Sequence, residues 1–172
     1  MDVDDAIDQI ITRRVVFLLN EAKAKNPPYD NAVNYALRSI SNYYTVGRDQ
    51  KSYELWFSCP FRSRDAHELL SELVAEFGNK EGSQKWKKLV TNEHPFQIKK
   101  SWEWIIANKN FNPDQIKNHL KKWPMVVVTK DENTWLGGND DRPPYSRYED
   151  AEIAVLKKDK NNQWHPYNLE KE

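Results

Sequence analysis

The residues with the most chemical potential in this 172-residue chain lie between positions 93 and 119. Glu93-His94-Pro95 is followed by Asn110, sixteen residues after His94, and by His119 nine residues later. Carboxylate and imidazole are the side chains that hold hard cations and move protons near neutral pH. The segment around them, Lys85 to Lys122, is locally basic. The other two histidines lack such company. His67 stands in a helical stretch among acidic neighbours, and His165 precedes Pro166; both read as surface or packing residues. Cys59 is the only cysteine, so it forms no intrachain disulfide and no Cys-based zinc site. Between Ser58 and Pro60 in an aromatic run, it reads as a small buried hydrophobe rather than a nucleophile.

The spacing of His94, Asn110 and His119 resembles that of the HNH nuclease family, whose ββα-metal fold brings a metal ligand and a general-base histidine together. The resemblance implies Glu93 as a metal ligand, His94 as the base that activates water, Asn110 as the group that fixes the imidazole, and His119 as the second ligand. It implies a divalent metal that stabilises charge on a phosphate while neutral imidazole takes a proton from water. Lys99, Lys100, Lys117, Lys121 and Lys122 would contact the phosphates of a nucleic acid. The chain departs from the family at two points. Trp123, which binds no metal, stands one turn past His119, where a third ligand is expected, and the stretch between His94 and Asn110 reads as helix instead of hairpin and loop.

A purely architectural explanation covers the same residues. Glu93 and His94 would start a helix with Pro95 in its first turn, Asn110 would lie in a loop, and His119 would be a half-exposed helical position between lysines. A second, broader pattern runs from Glu93-His94 through Val127-Val128-Thr129-Lys130-Asp131-Glu132 and Leu136 to Pro144-Tyr145, Arg147-Tyr148 and Ile153. It looks like one found in uncharacterised bacterial and phage-associated proteins, which implies an origin but no activity.

Other chemistries find little support. The five glycines form no phosphate-cradling loop, and no Gly-x-Ser-x-Gly elbow is present. Gln97-x-Lys99 with Asp65 upstream is too common a pattern to mark a restriction-type site. Trp102 and Trp104 cannot both face inward on one helix, so at least one must be partly exposed. With Trp123, Trp135 and Trp164 they offer rings near a basic segment, which suits base stacking or a protein interface. Packing under lysine stems would serve equally.

These residues must be carried by mostly helical elements. Residues 2–25 read as an amphipathic helix with Ile7, Ile10, Ile11, Val15, Leu18, Leu19 and Ala22 on one face, stopped by Asn26-Pro27-Pro28. Helices are expected over 30–44, 65–77, 95–108 and from Asn112-Pro113 to about Trp123. Residues 47–51 read as a turn, 52–59 are ambiguous between strand and short buried segment, and 79–83 read as a polar loop and hinge. Met125 to Val128 reads as a buried strand, and Thr129 to Glu132 as a capping box that opens a short helix. Residues 137–144 read as a loop, and 152–157 with 163–167 as a terminal hairpin around 159–162.

Composition sets the outer bounds. Lys plus Arg equals Asp plus Glu at 26 each, aromatics make up 12%, and no apolar run approaches membrane-spanning length. The zero formal charge weighs against a nonspecific nucleic-acid coat but permits a local basic groove. The acidic start, unlike a signal peptide, points to the cytoplasm. The expectation is an α+β, mostly helical single domain over 1–172 with a small sheet and a C-terminal β-hairpin. Its expected function is either an HNH-like metal-dependent endonuclease acting on nucleic acid, or a noncatalytic interaction or inhibitor protein of a defence or mobile-element system, with a protein partner and no membrane.

Overall fold

Apolar periodicity and good caps make most of the helices. The computed structural model describes residues 3–47, 54–137 and 142–169. Helix α1 (Val3–Ala22) opens with Asp4 and Asp5 in its first turn, where carboxylates favour the helix dipole. It buries Ile11, Val15, Leu18, Leu19 and Ala22, while Ile7 and Ile10 are only partly covered. Helix α2 (Asn31–Val46) is capped by Asp30, whose Oδ1 accepts the amides of Ala32 and Val33 at 2.9 Å each. It ends on Gly47 in the left-handed region at φ 71°, whose N–H donates to the Tyr43 carbonyl. Of the turn expected over 47–51, only Gly47 lies within the described residues.

Helices α5 (Ile98–Ala107) and α6 (Pro113–Lys121) complete a helical unit made of residues 1–50 and 96–124. The Asn112 side chain accepts the Gln115 amide and Gln115 reaches back to the Asn112 amide, a reciprocal cap that fixes the start of α6. Val33, Leu37, Ile40, Trp102, Ile105 and Ile116 join the α1 residues in one apolar core. Each large side chain so buried is worth roughly 1.5–3 kcal/mol. Trp102 is 2% exposed and Trp104 half-buried, the division that helical geometry demands.

The second unit, residues 51–95 and 125–172, holds all the strands among the described residues. They are β1 (Phe61–Ser63), β2 (Val90–Glu93), β3 (Val126–Thr129), β4 (Val155–Lys158) and β5 (Trp164–Tyr167), in the order β2-β3-β1-β4-β5. Only β1 and β3 run parallel; the other neighbours are antiparallel. Val126, Val127 and Val128 are fully buried on both faces, as a β-branched run in an inner strand should be. Strands β2 and β3 pair from Val90↔Thr129 to Glu93↔Val126, so the chain leaves β2, makes α5 and α6, and returns to the adjacent strand. The β4–β5 turn is held by Asp159, whose Oδ1 accepts the amides of Asn161 and Gln163 at 2.8 Å each.

Around this sheet lie α3 (Glu54–Ser58), α4 (Arg64–Leu89), α7 (Lys130–Leu136) and α8 (Pro144–Asp150). The expected loop at 79–83 is helical. Helix α4 instead breaks at Gly78 (φ 75°, ψ 168°), a conformation essentially restricted to glycine. Its second half then passes so close to the first that a Cβ on Gly82 would sit 2.6 Å from the Leu73 carbonyl carbon and 2.8 Å from the Val74 Cα. Trp86 Nε1 donates to the Ala66 carbonyl at 2.7 Å and ties the two halves together. The chain is thus mostly helical α+β with a small mixed sheet and a C-terminal hairpin. Among the described residues no helix is long and apolar enough to cross a membrane.

Candidate functional site

Glu93 and His94 belong to the sheet unit, whereas Asn110, His119 and the five lysines belong to the helical unit. Glu93 ends β2 and is 6% exposed. Its Oε1 accepts Arg147 Nη2 at 3.1 Å, and its Oε2 accepts the Tyr148 hydroxyl at 2.5 Å. Burial raises the Glu93 carboxyl above its ordinary range, and the Arg147 charge opposes that rise. Arg147 also donates to the carbonyls of Pro95, Leu136 and Gly137, so one guanidinium from α8 fastens the end of β2 and the end of α7. Tyr148 lies beside it, its hydroxyl held in the neutral form by burial and by the Glu93 charge.

In this arrangement Glu93 is an ion-pair partner, with both oxygens already accepting hydrogen bonds, and it does not fit a metal ligand as it stands. Among the described residues, no group of three or more His, Cys, Asp and Glu side chains is placed to hold a metal ion. His94 is half-buried directly after the strand.

In the helical unit, the His119 imidazole lies flat on Trp104, with centroids 3.6 Å apart and planes 4° from parallel. Phe96 meets it edge-on at 5.2 Å and itself stacks on Trp123 at 5.5 Å. Trp123, at the position where the HNH resemblance would need a third ligand, is therefore part of an aromatic stack. Asn110 is exposed between α5 and α6. Lys117 bonds Asp8 and Asp114 at 3.0 Å each and Thr12 at 3.3 Å. The Asp114 hydrogen bond leads the effects that raise its pKa. Lys100 pairs with Glu103 at 3.4 Å. Lys99, Lys121 and Lys122 are exposed.

No family model, curated protein or solved structure matches the chain.

Two features lie outside the residues that the sequence singles out. In the sheet unit, Arg62 of β1 is 5% exposed and lies between two indoles, 4.9 Å from the Trp86 centroid and 4.8 Å from that of Trp164. Its Nη2 donates to the carbonyls of Trp56 and Phe57 at 3.4 and 3.2 Å. Burial lowers its pKa, and burial together with the Arg62 charge lowers that of neighbouring His67. In the helical unit, a cleft of about 420 Å³ opens between α1 and α2. Helix α1 contributes Ile10, Arg13, Arg14 and Phe17, and α2 contributes Ala32, Tyr35 and Ala36. Tyr35 is 46% exposed. The signal in the sequence was the surplus of apolar residues on α1: Ile10 belongs to its apolar face yet lines the cleft.

Proposed function

We propose that the chain is a noncatalytic binding protein that engages another protein through the α1–α2 face of its helical unit. The observation that carries this reading is the open apolar cleft, with Tyr35 exposed at it. Rigid aromatic side chains next to aliphatic ones are the common anchors of protein interfaces, because they bury much area at little entropic cost. The reading needs no rearrangement. The nuclease reading, by contrast, requires Glu93 to release Arg147 and Tyr148 before it can hold a cation.

A photo-crosslinking amino acid at position 35, in cells that express the protein, should give an adduct of defined mass. The same group at position 135, where Trp135 is 61% exposed in the sheet unit, should not. Purified protein incubated with plasmid, single-stranded DNA and RNA should show no cleavage that depends on a divalent metal. Metal-dependent cleavage lost in His94→Ala would overturn the proposal and establish the nuclease.

A further inference from the structure

The rim of the α1–α2 cleft bears on what it can hold. We infer that it takes an acidic amphipathic helix of another protein, apolar side chains down and carboxylates at its edges; this rests on the protein-binding reading above. Ile10 and Phe17 sit seven residues apart on α1, two helical turns or about 10.5 Å at 1.5 Å per residue. That is the span from i to i+7 of a helix laid in a groove, the usual spacing of its anchors.

The charges beside the middle of this floor are basic, with Glu21 and the α2 cap Asp30 toward one end. Arg13 and Arg14 occupy the middle turns of α1, and Arg38 lies one turn beyond Tyr35 on α2. No Asp or Glu occurs between Asn31 and Val46, and the carboxylates of α1 sit at its ends, at Asp4, Asp5, Asp8 and Glu21. The guanidiniums are also pre-positioned. Arg14 lies over the rings of Tyr35 and Tyr43 at 5.9 and 5.3 Å, and Arg38 Nε donates to Asn34 Oδ1 at 2.8 Å. Planar guanidiniums held in this way bond carboxylates without further ordering.

The same charges argue against a second copy of this chain. A two-fold axis through the cleft would set Arg13 and Arg14 against their own equivalents, a like-charge contact that opposes association. Nucleic acid fits less well, because Phe17 and Tyr35 are the rings of the lining and Ile10, Ala32 and Ala36 fill the rest of it, where a run of stacked bases needs a broader aromatic platform.

The test is titration of the full chain with a labelled helical peptide bearing leucines at i, i+3, i+4 and i+7 and glutamates on both flanks, against its lysine counterpart. The glutamate peptide should bind saturably and more weakly as salt rises. The lysine peptide should bind at least about tenfold more weakly, and Arg13→Glu should cost the glutamate peptide a similar factor. Tyr35→Glu should abolish binding, with circular dichroism showing that both variants stay folded. Equal binding of the two peptides would overturn the acidic assignment. Binding of neither peptide, with the position-35 crosslink intact, would overturn this inference alone; loss of the crosslink as well would remove the protein-binding reading. A concentration-dependent dimer broken by Tyr35→Glu would overturn it in favour of a second copy, and displacement of the peptide by a single-stranded oligonucleotide in favour of nucleic acid.

Discussion

Arg147 is the side chain whose loss the sheet unit should tolerate least. Arg147→Met leaves the buried Glu93 carboxylate without its cation and three main-chain carbonyls without their donor. A cost of about 3–5 kcal/mol is expected in urea unfolding. Adding Glu93→Leu should recover much of that loss, since a neutral pair has no stranded charge. Glu132 gives a pH signature. It is 2% exposed and accepts from the Ser63 hydroxyl at 2.6 Å and the Thr129 amide at 2.7 Å. Burial leads the effects on its carboxyl and raises it above the ordinary 4.5. The folded state therefore binds this proton more tightly than the unfolded chain. Its contribution is fully present below about pH 4.5 and is lost as pH rises through the folded value. Urea midpoints should accordingly show wild type losing ground to Glu132→Gln as pH rises from about 4.5 toward 7. The sequence displayed the type of Glu93 but not its partner, because Arg147 lies 54 residues away and only the fold brings the two together. The roles of Glu132 and Asn112 were more legible, since each reaches a backbone amide only three residues away.

At the scale of elements, the α4 hairpin depends on two glycines for different reasons. Gly78→Ala should cost about 1–3 kcal/mol through its backbone conformation, with open space around the added methyl. Gly82→Ala should cost at least as much, because its methyl meets main chain that cannot step aside. Guanidinium unfolding measures both: Gly78→Asn should cost about as much as Gly78→Ala, because asparagine's tolerance of positive φ lies in the left-handed helical region and not at ψ 168°. The run from Asn79 to Ser83 looked like a loop because its residues are small or polar, yet the close crossing at Gly82 and the Trp86 bond make it helix. Strand β1 was equally hidden, since three residues after a proline carry no period and pair only with strands far along the chain. Helix α8 has a weak sequence signal too: Pro144 starts it, but its seven residues include too few apolar positions to form a stripe. The helices α1, α2 and α6 were readable because their caps and apolar periods are written in consecutive residues.

For the whole molecule, connectivity is more informative than composition. Residues 96–124 leave and rejoin the sheet unit at adjacent antiparallel strands, so Asn-Gly in their place would join β2 and β3 by a five-residue hairpin loop, His94-Pro95-Asn-Gly-Met125. The sheet unit, 51–95 joined to 125–172 in this way, should unfold in a single cooperative transition, and retained Trp86 fluorescence with a sigmoidal urea curve would show it. A featureless gradual curve would mean that this unit cannot stand without the inserted helices. Formal neutrality adds that the chain should be least soluble near its isoelectric point of about 6.9, which light scattering across pH would reveal.

The same insertion has a consequence for the rate of folding. Val90 and Thr129 are neighbours in the sheet but far apart along the chain, and bringing such distant strands together is entropically slow. Packing of α5 and α6 against α1 and α2 shortens the free chain between the two strands and so lowers the entropy that their pairing must overcome. Substitutions at Trp102 or Ile105, deep in the helical core, should thus slow refolding of a sheet they do not belong to.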